Sequence, residues 1–150
     1  IGHSENREKG ENDKLINLKI KSALEAKLKV IFCIGETLIE KRKKKTWSIL
    51  SQQIKVGLDS VKNKSKIFIA YEPVWAIGTG IIPKSNELFK TIEFIKSKFK
   101  GKSPKVLYGG SVSPQNIKNL KEINNIDGYL IGGSSQNANK FIDIVKKTYS

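Results

Sequence analysis

Charged and glycine residues follow the apolar runs of this sequence in a regular way. Glu72 ends the run KIFIAYE (66–72) and leads through Pro73 into the glycine-containing segment AIGTG (76–80). Ligands of parallel α/β proteins bind at the carboxyl ends of strands. We therefore expect the chemistry of this chain to lie where these runs end.

Two further runs end in glycine pairs that suit an anion. KVLYGG (105–110) continues into Ser111, and GYLIGG (128–133) continues into Ser134. Glycine lets backbone N–H groups approach a phosphate without a side chain in between, and a following helix N-terminus adds positive partial charge. One pair alone is usually a turn, but two in succession favour a phosphate cup over turn geometry alone. No GxxxxGK(S/T) loop for a nucleoside triphosphate is present.

Histidine and cysteine occur once each, as His3 and Cys33. One thiol cannot form a disulfide within the chain, which favours a reducing compartment. So few soft ligands argue against a structural metal site. A lone histidine near a chain end is most often an exposed surface residue. From residue types alone we therefore expect no metal, and they give His3 no role.

The chain is strongly basic. It has 28 Lys and Arg residues against 14 Asp and Glu, a formal net charge of +14. Such charge is compatible with binding nucleic acid or an anionic surface. The lysines are spread over nearly every helix-like segment, which favours solvated helix faces and no nucleic-acid partner. The densest run, 41–45, is expected to be an exposed helix start or loop. No apolar stretch approaches the roughly 20 residues of a membrane helix, so no membrane partner is expected.

Apolar runs alternate with segments of helical periodicity. The runs, including VIFCIG (30–35), are apolar nearly throughout, as in parallel strands covered on both faces. Ser113-Pro114 predicts a helix start. With no linker in between, the alternation predicts one α/β domain over 1–150 with a parallel sheet and right-handed crossovers. The periodicity predicts helices over 15–29, 49–61, 87–99 and 141–149.

Five segments together resemble one known family. They occur in that family's order and at compatible spacing: IGHSEN (1–6), CIGET (33–37), AYEPVWAIGTG (70–80), YGGSV (108–112) and DGYLIGG (127–133). By these segments the chain is similar to triosephosphate isomerases along its whole length. The resemblance implies a partial (β/α)8 TIM barrel, from the end of strand four through helix eight. Since the chain has no methionine and its first residues resemble a strand end, we expect an N-terminally truncated domain.

The resemblance also implies a role for individual residues. Glu72 would be the catalytic base, and His3 a neutral imidazole that donates a hydrogen bond to substrate oxygens. Glu5 would pair with a catalytic lysine that no lysine of this chain matches. Residues 74–80 would form a mobile lid, steadied by Tyr108 when closed. The residues expected to bind the substrate phosphate are Gly78, Ser111, Gly132 and Gly133.

The activity implied is the interconversion of dihydroxyacetone phosphate and glyceraldehyde 3-phosphate without metal or cofactor, in a cytoplasmic homodimer. These 150 residues alone are expected to be inactive, and either aggregation-prone or loosely folded, because two sheet edges would lack partners. Two alternatives stay open: another phosphate-binding barrel enzyme, and a basic nucleic-acid-binding fragment. The chain departs from the family pattern at Asn6, Lys41 and Ile81-Ile82-Pro83. The proline is expected to stiffen the lid hinge, because its ring fixes φ.

Overall fold

The four apolar runs form the strands of one parallel sheet. The computed structural model describes residues 1–101 and 103–149 of the chain. In the sheet the strands follow one another in the order of the sequence, each pairing in parallel with the next. The expected parallel α/β architecture is therefore confirmed. The strands are β1 (Val30–Ile34), β2 (Ile67–Tyr71), β3 (Val106–Tyr108) and β4 (Gly128–Tyr129).

Helices occupy the connections between the strands, and the four helices predicted from periodicity are all present. None of the helices in the described ranges is long and apolar enough to cross a bilayer. Short 3-10 turns lie at Val74–Ala76 and Gly133–Gln136. The α-helices are α1 (Ser4–Glu8), α2 (Asp13–Glu25), α3 (Leu38–Arg42), α4 (Thr46–Gly57), α5 (Ser85–Ser97), α6 (Ile117–Lys121) and α7 (Ala138–Tyr149).

The prediction that a helix begins at Ser113-Pro114 is wrong. Residues 114–116 form a turn, and α6 begins at Ile117. The Asn116 side chain ties this turn together: its Oδ1 accepts a hydrogen bond from the Ser113 N–H at 2.8 Å, and its Nδ2 donates to the Ser111 carbonyl at 3.0 Å. The turn leads directly into α6, because the Asn116 and Ile117 N–H groups both donate to the Ser113 carbonyl, at 3.2 and 3.1 Å.

The core lies between the sheet and the helices that cover it. Phe32 of β1 and Ile69 of β2 are fully buried. Gly57 near the end of α4 permits this packing, because a Cβ at that position would lie 2.9 Å from Cε1 of the Phe32 ring. Fully buried helix residues complete the core: Ile16, Ile20, Leu50, Leu88, Ile92, Ile95 and Ile117.

Apolar surface is left uncovered at both ends of the sheet. β1 and β4 are the edge strands of the sheet. Ile1 lies beside the outer edge of β1, where its carbonyl accepts a hydrogen bond from the Cys33 N–H at 2.9 Å. On α7, Phe141, Ile142 and Val145 are exposed by 41%, 49% and 40%. Contiguous apolar surface of this kind favours association in water.

We expect the 150-residue chain to self-associate through α7, because burying this apolar face removes it from water. Replacing Ile142 and Val145 together by Gln should shift the sedimentation-velocity distribution toward monomer. The matched control is Ile39→Gln on α3, which changes an exposed apolar residue elsewhere. If the α7 variant sediments as the parent chain does, another surface drives association.

Candidate active site

Glu72 is buried where β2 ends, between the ends of its two neighbouring strands. Its N–H donates to the Ile34 carbonyl of β1 at 2.7 Å, so the parallel ladder continues to this residue. Only 2% of Glu72 is exposed. The room for its side chain comes from Gly109, because a Cβ there would lie 2.7 Å from Cγ of Glu72. A Cβ at Gly35 would meet the Glu72 carbonyl. Gly109 thus makes room for the Glu72 side chain, and Gly35 lets the backbone at Glu72 pass close to β1.

Burial changes the protonation of Glu72 and of the thiol beside it. Desolvation raises the pKa of Glu72, while the nearby His3 acts in the opposite direction. Desolvation, and then the negative charge of Glu72, raise the pKa of the Cys33 thiol to about 12. Cys33 is therefore a neutral packing residue beside the carboxylate.

His3 faces Glu72 from the start of α1. Its Nε2 lies 3.8 Å from Glu72 Oε1. As the N-cap of α1, it accepts a hydrogen bond from the Glu5 N–H at Nδ1, over 3.4 Å. A ring nitrogen that accepts a hydrogen bond carries no proton, so the proton of the neutral ring lies on Nε2. His3 can therefore donate toward the side on which Glu72 lies.

The turn that carries His3 is fixed by two charged side chains. Arg7 donates to the Gly2 carbonyl at 2.8 Å and to the Cys33 carbonyl at 3.1 Å, which ties α1 to β1. Glu11, itself buried, accepts from the Gly2 N–H at 2.9 Å and from Lys19 at 2.5 Å. Burial alone would raise the pKa of Glu11, but the Lys19 ammonium and the Gly2 N–H lower it. The histidine thus sits on a rigid support.

The segment after Glu72 is anchored at its start by a second buried carboxylate. Glu36, which is fully buried, accepts from Trp75 Nε1 at 2.9 Å and from the Tyr71 hydroxyl at 3.2 Å. Desolvation raises the pKa of Glu36, and the Trp75 hydrogen bond partly offsets it. Lys41 Nζ lies 3.9 Å from the centroid of the Trp75 ring and forms an ion pair with Glu87. Trp75 is therefore held from two sides.

The tip of the same segment is held by Ser111. The Ser111 hydroxyl donates to the Ala76 carbonyl at 2.6 Å and accepts from the Gly80 N–H at 3.0 Å. Tyr108 plays no such part: its hydroxyl is buried, and it has no hydrogen-bond partner within the described ranges. The prediction that Tyr108 steadies the lid is therefore not supported in this conformation, in which Ser111 makes the contact.

These elements enclose a cavity of about 510 Å³. Gly132 and Gly133 line the cavity with backbone atoms alone. The space beside them is open, since a Cβ at either position would meet no atom within 4 Å. The Ser134 hydroxyl donates to the Val112 carbonyl at 2.7 Å, which joins the two glycine loops. The lining includes the two residues predicted to be catalytic, His3 and Glu72, and the four predicted to bind phosphate, Gly78, Ser111, Gly132 and Gly133. Gly109 and Lys140 also line it.

Comparison with known proteins decides the family. The family model described as triosephosphate isomerase matches residues 1–148. The chain belongs to the triosephosphate isomerase family. The enzyme of that name from Thermodesulfovibrio yellowstonii is 44% identical over 97% of this chain, and that from Pelodictyon phaeoclathratiforme is 45% identical over 97%.

The barrel fold is confirmed by a solved structure of the family. The crystal structure of triosephosphate isomerase from Bartonella henselae superposes with a TM-score of 0.88 at 34% identity, covering all of this chain and 63% of that one. The chain spans 62% and 61% of the lengths of the two relatives named above. The four strands described here thus correspond to part of a TIM barrel.

Six of the seven residues predicted from the family pattern line one cavity. Glu5 is the exception: it is exposed on α1 and does not line the cavity. Lys140 and Glu36 were missed. Lys140 lies only seven residues after Gly133, so its place beside the cup has a sequence signal. Glu36 has no such sequence signal, because its contact with Trp75 joins residues that are 39 positions apart.

Across the described ranges no three His, Cys, Asp or Glu side chains are grouped to hold a metal.

The single thiol of the chain makes the packing around Glu72 measurable. With its pKa raised to about 12, Cys33 should react with iodoacetamide at pH 8 on the order of 10³ times more slowly in the native chain than in urea, where a thiol has its ordinary pKa of about 8.5. Mass spectrometry of timed samples gives both rates. Equal rates would show that the strand ends around Glu72 are open to solvent.

Proposed function

We propose that the polypeptide containing this chain is a triose-phosphate isomerase, and that the residues described here supply its base, its hydrogen-bond donor and its phosphate cup. The observation that carries the proposal is the approach of His3 Nε2 to within 3.8 Å of the buried Glu72 carboxylate, on a cavity rimmed by glycine backbone. The names of the relatives support the same activity.

Glu72 acts as the base. Its carboxylate removes a proton from the carbon next to the substrate carbonyl, which leaves an enediolate, and then returns that proton to the neighbouring carbon. The two proton transfers balance, so isomerisation needs no oxidant or reductant. A carboxylate whose pKa is raised by burial is a stronger base than one in water.

His3 stabilises the charge that develops on oxygen. With Nδ1 occupied by the Glu5 N–H, the Nε2 proton is available to the carbonyl oxygen of the ketose and to the adjacent oxygen of the enediolate. Glu5 is proposed to act indirectly, by forming an ion pair with a catalytic lysine from elsewhere in the polypeptide. The support for this role is the position of Glu5 in the GHSE segment.

The phosphate is proposed to lie against the backbone of Gly78, Ser111, Gly132 and Gly133. Exposed N–H groups without side chains stabilise an anion, and the segment over the cavity excludes water from the enediolate. Among the described residues that line the cavity, Lys140 is the one lysine. Its ammonium adds positive charge beside the cup, which offsets part of the repulsion between Glu72 and a phosphate dianion.

The working form is proposed to be a complete barrel, with residues 1–150 as part of a single domain, in a cytoplasmic homodimer. The exposed apolar side chains of α7 support this, because the remaining barrel helices and strands would cover them. The dimer and its compartment rest on the family resemblance alone. No cofactor is proposed.

Shortening the base should reduce turnover. In the full polypeptide, Glu72→Asp retracts the carboxylate by one methylene, and we expect kcat to fall by roughly two orders of magnitude or more with little change in KM. Because the pKa of Glu72 is raised, the acid limb of the wild-type rate profile should lie above the usual carboxyl range. A coupled isomerase assay across pH measures both. Near-wild-type turnover in the variant would refute the role of Glu72.

Filling the cup should reduce anion affinity. Gly133→Val places a side chain between the amides and the phosphate, so calorimetric titration with inorganic phosphate should show binding at least about tenfold weaker, with an unchanged melting temperature. The companion variant Lys140→Gln leaves the amides in place, so its smaller loss should shrink further as salt is added. Phosphate affinity equal to wild type in Gly133→Val would place the anion elsewhere.

A further inference from the structure

A second cavity lies between α4 and α5 and shares no lining residue with the candidate active site. It has a volume of about 530 Å³ and is formed by the turn before α4 and by the start of α5. Most of its lining is charged or aromatic. The lining residues are Lys41, Lys44, Thr46, Trp47, Lys84, Asn86, Glu87, Lys90 and Thr91.

The lining of this second cavity is strongly positively charged. Four of its nine lining residues are lysines, and Glu87 is its single carboxylate. Glu87 is already paired with Lys41. Lys44, Lys84 and Lys90 are exposed and have no ion-pair partner in the part of the chain that the structure describes. Three like charges therefore face one hollow without compensation, and a bound anion would relieve their repulsion.

An aromatic platform lies between the lysines. Trp47 is 53% exposed, and its ring stacks on Phe94 with centroids 4.9 Å apart and planes 13° from parallel. Lys98 Nζ lies 4.0 Å from the centroid of the Phe94 ring. Trp47 and Lys90 also line an adjoining, more open hollow of about 430 Å³. The two hollows share these two residues and together form one groove along α5, whose second part is also lined by the Glu93 carboxylate.

The spacing of the lysines suits a linear polyanion. Lys84 and Lys98 flank the two ends of α5, and Lys90 lies between them. With a rise of about 1.5 Å per residue, Lys90 and Lys98 are separated by about 12 Å along the helix, and Lys98 lies just beyond the residues that line the two hollows. The ring of Phe94 lies between the last two. Cations that alternate with aromatic rings along a groove are the pattern by which proteins bind single-stranded nucleic acid.

We propose that the groove formed by α4 and α5 binds single-stranded nucleic acid, with the phosphates on Lys44, Lys84 and Lys90 and a base stacked on Trp47. The lysines looked scattered along the sequence, but the fold gathers these three beside an exposed indole. An acidic peptide would use the charges without using the indole. Nucleic acid uses both, which is why it is the favoured ligand.

Fluorescence anisotropy with a labelled dT12 oligonucleotide tests the charge. In the full polypeptide, the triple variant Lys44→Gln, Lys84→Gln, Lys90→Gln should bind at least about tenfold more weakly. It should also lower the slope of log K against log salt by about 2, since each single-strand phosphate contact contributes about 0.7. The control has the same charge change on other faces: Lys55→Gln, Lys118→Gln, Lys121→Gln. An equal loss in the control would show that net charge alone binds DNA and would overturn the site.

Trp47→Ala tests the stacking, with circular dichroism to confirm the fold. It should weaken dT12 binding by about fivefold or more, whereas Trp47→Phe should restore most of the affinity. Inorganic polyphosphate, which has phosphates but no bases, should bind wild type and Trp47→Ala equally. Three results would overturn the proposal: no effect of Trp47→Ala on dT12, polyphosphate or poly-glutamate binding as tight as dT12, or a preference for duplex over single-stranded DNA. None of these readouts depends on isomerase activity.

Discussion

The burial of one carboxylate at the carboxyl edge of the sheet constrains most of what surrounds it. Glu72 can occupy this position only because the ends of the neighbouring strands carry glycine, Gly35 on one side and Gly109 on the other. Its cost in desolvation is visible in its raised pKa, and the imidazole of His3 is the nearest group that offsets that cost. The segment after Glu72 and the two glycine loops that line the cavity follow the ends of the same sheet.

The burial of two carboxylates, Glu36 and Glu72, lowers the stability of the folded state when they are charged. For Glu36 and Glu72 the pKa is raised on folding, so the folded state binds more protons than the unfolded state. The free energy of unfolding therefore falls as pH rises through the raised values, and the protonated forms are the better tolerated ones. Such a cost is expected where a side chain serves chemistry or holds a moving segment.

The parallel sheet and most of the cavity could be predicted from sequence, because their signals are local. Uninterrupted apolar runs indicate buried strands, and glycine pairs at their ends indicate a backbone cup. What could not be predicted depends on residues far apart in sequence, such as Glu36 with Trp75, and Trp47 with Phe94. The start of α6 was placed too early, because a turn at 114–116, which the Asn116 side chain ties to Ser113, comes before it.

Lys41 contacts Trp75 from the outer side of the segment that follows Glu72. A lysine lacks the planar fork of an arginine, so it cannot pair with a carboxylate in two places at once. Here its point charge lies over the Trp75 ring while it pairs with Glu87 at the start of α5. Trp75 is thus held by a cation outside and by the Glu36 carboxylate inside. Because Glu36 is buried and Lys41 is partly exposed, the inner contact should hold Trp75 more firmly than the outer one.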